Sequence, residues 1–173
     1  GEEVALTFNH SQHSPMCMKL VATCKLVLEP EQKSTLVDLM SRFNEACNWL
    51  AAKAFELKSA DKFKLQKLHY DAIRSTFGLN AQFTVRCISK VCEAYKRDKT
   101  KLPRFRPDGA VPYDQRLYTF KHGLDRISLA TLDKRIIAPV VIGPYHRGKL
   151  DGARGQADLV SRKGKLYLYV TVE

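Results

Sequence analysis

The chain has 173 residues, enough for one sizeable domain or two small ones, with the 45% hydrophobic and 27% charged content of an ordinary globular protein. Twenty-nine Lys and Arg against eighteen Asp and Glu give a net charge of +11; such an excess draws polyanions, nucleic acid first and an anionic membrane surface second. No apolar run reaches the roughly 18 residues of a spanning helix, and five cysteines without a CxxC pair argue against a disulfide framework or a cysteine-pair zinc knuckle.

Residues 1–17 open with acids and lack the basic start and apolar core of a signal peptide, so a cytoplasmic, intracellular protein with reduced thiols is expected. This segment reads as loose. Its HSQHSPMC run (His10, His13, Cys17) has spacing a metal could use but no ordered fourth ligand, and it is set aside as a metal site. MKLVATCKLVLEP, residues 18–30, reads as a strand. Pro30 then suits the first position of a helix, and Leu36, Leu39, Met40, Phe43, Cys47, Leu50, Ala51 and Ala54 recur at steps of three and four, with Trp49 expected in the core. A second helix is predicted from the N-cap Asp61 to Gly78. A third runs over about 81–97, with Val85, Ile88, Val91, Cys92 and Tyr95 on its buried side.

The next stretch, RDKTKLPRFRPDGAVPYDQR at 97–116, cannot be helical, because Pro103, Pro107 and Pro112 remove donors and clash with a preceding turn. It carries six basic residues interleaved with Phe105 and Tyr113. Then RISLATLDKRIIAPVVIG reads as two strands about a turn at Asp133 and Lys134. GPYHRGKLDGARGQ reads as a Gly-rich connecting loop, and QADLVSRKGKLYLYVTVE as a hairpin turning at Lys163 and Gly164. Charge is divided unevenly along this order. Residues 31–74 net +2, whereas 95–126 net +5 and 134–165 net +6. The first half reads as scaffold and the second as the polyanion surface.

The fold class expected is α+β: a curled sheet or β-barrel interrupted by a helical insertion. The motifs LxPxQ (Leu28, Pro30, Gln32), FNxxxxW (Phe43, Asn44, Trp49), EAYK at 93–96, PRFR at 103–106, AVPYDQR at 110–116, SLATLDKR at 128–135 and DLVSRKGKLYLYVTVE at 158–173 occur in that order. This order resembles the N-terminal part of the TnpB/OrfB family of transposon-encoded RNA-guided endonucleases, relatives of the type V CRISPR effectors, over roughly residues 19–173. The resemblance implies a wedge-type, OB-like barrel from 18–30 and 99–173, with a helical recognition bundle inserted at 31–98. It implies guide RNA and target DNA as partners and no membrane. It also implies that the RuvC-like nuclease acids, their Mg ions and a structural Zn ribbon lie beyond residue 173, leaving this fragment without catalytic residues and without cofactors of its own.

Candidate contacts follow from residue chemistry. Lys101, Arg104, Arg106 and Arg116 sit on the proline-stiffened stretch; arginine forks pair phosphate oxygens and their planes stack on bases, so the set suits structured RNA, the alternative being a solvated basic face. Phe105 either stacks or anchors the loop. Arg147, Lys149 and Arg154 lie in the Gly-rich segment, where glycine lets backbone approach a phosphate or simply permits turns. Arg162, Lys163 and Lys165 surround the hairpin tip, as contacts or as a solubilising turn. Gln82 and Arg86 are competent major-groove readers of adenine and guanine; relatives often carry a Ser-Gln pair where this chain has Asn80, Ala81 and Gln82, and an ordinary helix-start role is the other reading. The alternatives to a nuclease module are a nuclease-inactive RNA-guided regulator and a general basic RNA-binding module.

Overall fold

The computed structural model describes residues 5–8, 18–151 and 154–172. His10, His13 and Cys17 fall outside them. In chain order the elements are β1 (Ala5–Phe8), β2 (Met18–Leu26), α1 (Pro30–Leu57), α2 (Lys62–Phe77), α3 (Ala81–Arg97), β3 (Val111–Tyr113), β4 (Tyr118–Lys121), β5 (Arg126–Leu129), β6 (Ile136–Ile142), α4 (Pro144–Lys149), β7 (Arg154–Arg162) and β8 (Lys165–Val172). The class is α+β. The chain divides into two compact units. One comprises Gly1–Lys33, Pro112–Ala130 and Arg135–Glu173; the other comprises Ser34–Val111 and Thr131–Lys134.

The first unit is a sheet of strands in the order β3-β7-β8-β2-β6-β5-β4, with β1 pairing beside β2. The seven-strand path curls into a nearly closed antiparallel barrel. Strand alternation makes its core: Ala22, Cys24 and Leu26 of β2, Leu159 of β7, and Leu166, Leu168 and Val170 of β8 point inward and are buried. Two tyrosines stitch the ends of the path. Tyr118 of β4 donates its hydroxyl to the Gly155 carbonyl in β7 at 2.7 Å, and Tyr113 of β3 donates to the Ala130 carbonyl just after β5 at 2.6 Å. The β7–β8 hairpin turns where expected. Lys163 and Gly164 both have positive φ, 51° and 76°, the geometry of a type I′ turn that matches strand twist.

Two sequence expectations change here. The segment at 143–156 is not only a loop: Pro144 at the first helical position after Gly143 starts α4, which carries Arg147 and Lys149. Arg154 instead opens β7. The short strands β3 and β4 were not foreseen, since three or four residues carry too little alternation to be read.

In the second unit, α1 buries the whole predicted stripe from Leu36 to Ala54. Its Phe43 meets Phe83 of α3 edge-on at 6.4 Å. Helix α2 begins where Asp61 accepts from the amides of Phe63 and Lys64, and ends where Gly78 adopts φ 67°. Helix α3 is capped by Asn80, whose side chain accepts from the Phe83 amide at 2.8 Å. Val85 is half-buried rather than core, whereas Ile88, Val91, Cys92 and Tyr95 are buried. Trp49 is likewise half-buried, set edge-on against His69 and Phe77 of α2. Cys24, Cys47, Cys87 and Cys92 are free thiols and buried.

Candidate nucleic-acid interface

The basic stretch after α3 is held by its neighbours rather than by regular structure. Asp98 accepts from the amide and the hydroxyl of Thr100, bonds that hold its carboxyl below the usual carboxylate range. Further on, the Asn48 side chain of α1 treats Phe105 as a strand neighbour would. Its Oδ1 accepts the Phe105 N–H at 2.8 Å and its Nδ2 donates to the Phe105 carbonyl at 2.9 Å. One turn earlier on the helix, buried Asn44 donates to the Gly109 carbonyl at 3.0 Å, with a longer contact to the Pro107 carbonyl at 3.4 Å. The Lys90 ammonium lies 5.5 Å over the Phe105 ring and donates to the Ala110 carbonyl. Asn44, Asn48 and Lys90 thus clamp the backbone from Phe105 to Ala110.

The consequence is a fixed display of cations. Arg104 and Arg106 are exposed and, with Asn48, Leu102, Pro103 and Phe105, line a groove of about 440 Å³. Among the described residues Lys101 and Arg104 have no carboxylate partner. Arg106 has, among the described residues, only a loose pairing with Asp108 at 3.7 Å, both side chains largely exposed, which is worth little in water. Phe105 is half-buried under Lys90, so it anchors the loop while leaving part of its ring accessible. Gln82 and Arg86 lie one turn apart at the start of α3, and both are half-buried.

In the barrel unit the predicted cations are divided between held and free. Arg116 is exposed on the turn between β3 and β4, its amide donating to Asp114 Oδ1 at 2.9 Å. Arg147 is paired with Asp125 at 2.9 Å, and Lys149 lies 5.4 Å over the Tyr145 ring. Arg154 is half-buried, its guanidinium 5.0 Å over Phe120 and its Nε donating to the Leu150 carbonyl. It also sits near the Tyr118 hydroxyl, which burial pushes up to about 12 against the pull of that guanidinium. Arg162 donates to the Tyr169 hydroxyl at 2.6 Å. Lys163 and Lys165 are exposed at the hairpin tip. The hairpin therefore gathers Arg162, Lys163 and Lys165, whereas Arg147, Lys149 and Arg154 are spread over α4 and β7.

Sequence reasoning missed Asn48, Lys90, Lys25, His146, Tyr167 and Tyr169. The signal for the tyrosines was present, since KLYLYV puts them on the outward face of an alternating strand. Asn48 lies one turn after Asn44 on the same helix, a spacing that was legible, but its target Phe105 is 57 residues away. Among the described residues no cluster of three His, Cys, Asp or Glu side chains is placed to hold a metal, and no helix is long and apolar enough to cross a membrane. Compared with known proteins, the chain matches no family model, and no curated protein matches it.

Proposed function

We propose that this chain is a nucleic-acid-binding module that grips structured RNA through its clamped basic loop. In the fuller reading it is the N-terminal wedge and recognition part of a TnpB-like, transposon-associated RNA-guided DNA endonuclease. It would act in the cytoplasm on guide RNA and target-adjacent duplex DNA, with the nuclease chemistry lying beyond residue 173. The observation that carries the RNA reading is the loop itself: Arg104 and Arg106 stand exposed on a backbone fixed by prolines and by the paired bonds to Asn48. A backbone already ordered leaves less entropy to be lost when its cations meet phosphate than the same residues on a free tail. The family reading rests on the ordered motifs of the sequence and is compatible with an α+β chain built on a nearly closed barrel.

A second reading, an RNA-binding module that reads no duplex motif, is favoured by one feature. Gln82 and Arg86 are half-buried at the helix start, whereas direct readers present their side-chain ends to a groove. Salt titration of RNA binding tests the main reading. Arg104→Ala with Arg106→Ala should lower affinity and reduce the slope of log K against log salt by about one to two units. An unchanged slope removes the loop from the interface. The second reading is separated by Gln82→Ala, which leaves it untouched but weakens sequence-specific duplex binding in the family reading.

A further inference from the structure

The outward face of the barrel carries a constellation that the basic loop does not explain. Residues alternating with the buried ones of β2 and β8 are Thr23 and Lys25 on one strand and Tyr167 and Tyr169 on the other. The register puts Lys25 between Val141 of β6 and Tyr167 of β8, and Thr23 opposite Tyr169. The two rings lie 6.3 Å apart, inclined by 48°. Arg162 braces both, its guanidinium 6.0 Å from the Tyr167 ring and its Nη1 on the Tyr169 hydroxyl. Beside them runs a groove of about 450 Å³ lined by Thr23, Lys25, Val141, His146, Lys165 and Tyr167.

His146 belongs to the same groove. Its side chain is only 1% exposed. Its Nδ1 accepts the Thr23 N–H at 3.1 Å, and since an amide only donates, the ring proton of the neutral imidazole belongs on Nε2. That Nε2 is buried and finds no acceptor among the described residues. A buried donor without an acceptor is costly, and the residue that carries it lines a groove also lined by Lys25 and Lys165. Among the described residues neither Lys25 nor Lys165 has a carboxylate partner. Asp158 of β7 pairs with Tyr169 in register, so an anionic ligand is favoured along the Lys25 and Lys165 side.

We propose that this face is a platform for unpaired RNA nucleotides, with bases stacked on Tyr167 and Tyr169 and phosphates on Lys25 and Lys165. The inference rests on the reading that the chain binds RNA, and adds that one of its sites takes single strand. Tyrosine rings on a sheet face stack any base, because every base has a π face, while paired bases are hidden in a helix. Base-paired RNA offers this face only phosphates.

Equilibrium binding of a short single-stranded RNA and of a blunt duplex of the same sequence to the whole chain tests it. Tyr167→Leu should weaken single-strand binding about tenfold, with the salt slope unchanged, because stacking releases no counterions. Tyr167→Phe should bind like wild type, and duplex binding should not respond to either change. On the unmutated protein, the ring signals of Tyr167 and Tyr169 should move when single strand is added, a readout independent of whether a variant folds. Wild-type affinity in Tyr167→Leu and Tyr169→Leu together, or unmoved ring signals in a protein that binds the strand, overturns the platform and leaves the loop reading intact. Failure of the wild type to bind either RNA overturns both.

Discussion

Replacing Asn48 by Ala removes two hydrogen bonds to one residue and little else, because Asn48 is exposed and its partners are the N–H and carbonyl of Phe105. A neutral amide bond contributes about 0.5–1.5 kcal/mol net. Water can replace both partners here, so the pair should contribute about 1 kcal/mol. For a chain of this size that lowers the melting temperature by about 2–4 °C. The effect on RNA should be larger than the effect on stability. Once Asn48 lets go, Arg104 and Phe105 regain backbone freedom that must be given up again on binding, at roughly 1–2 kcal/mol per residue. The flanking prolines limit this to those two positions. Full release of both positions is about 2–4 kcal/mol, so affinity should fall by about thirtyfold or more. The salt slope should stay at its wild-type value, because the number of phosphates neutralised is unchanged. Thermal denaturation and a binding titration at several salt concentrations read both quantities. A lowered melting temperature with unchanged affinity would refute the reasoning, since it would make Asn48 a fold contact next to a loop that touches no RNA.

Gly109→Ala should destabilise by about 1–3 kcal/mol in urea unfolding, since a Cβ there would stand 3.0 Å from the Arg106 carbonyl oxygen and 3.2 Å from Asn44 Oδ1. Asp125→Asn frees Arg147 from its 2.9 Å pairing; stability should change by less than about 1 kcal/mol, and if Arg147 then reaches phosphate the salt slope should steepen by about one, which a titration measures directly. Burial pushes the Cys24 thiol from 9.0 up to about 12 and that of Cys92 up to about 11. The folded state therefore holds these protons more tightly than the unfolded chain. Their contribution is fully present below pH 9 and is lost as pH rises from there toward the folded values, at about 1.4 kcal/mol per pH unit for each thiol. Urea unfolding between pH 8 and 10 should show the wild type losing ground to Cys24→Ala, and native alkylation of both thiols at pH 8 should be slow.

The parts of this fold that could be read in the sequence are those specified locally. The stripe on α1, the cap at Asp61, the left-handed Gly78 and the turn at Lys163 and Gly164 each need only a few consecutive residues to be recognised. Helix α4 escaped because six residues with a glycine in the middle carry no periodicity, and only Pro144 announced it. Trp49 was expected in the core from its place near the stripe. It lies at the stripe's margin, where His69 and Phe77 cover its edges and leave the ring half-exposed. The site divides in the same way. That residues 97–116 present exposed cations was legible from composition and prolines. That Arg147 is engaged by Asp125, 22 residues earlier, was not, because the pairing follows from where β4, β5 and α4 are placed by the sheet.

Held and free cations do different work on a polyanion, and this chain uses both. Lys101, Arg104, Lys163 and Lys165 are exposed and have no carboxylate partner among the described residues. Such side chains contribute attraction and counterion release wherever phosphates come near, with little demand on geometry. Arg154 and Arg162 are fixed by rings and hydrogen bonds within the barrel. A guanidinium already oriented can add direction, since less of its rotamer entropy remains to be lost. Removing a free lysine should therefore act chiefly on the salt slope. Removing Arg162 should act on Tyr167 and Tyr169 as well, because it braces both rings, and its loss should lower the preference for single strand over duplex beyond what one positive charge accounts for.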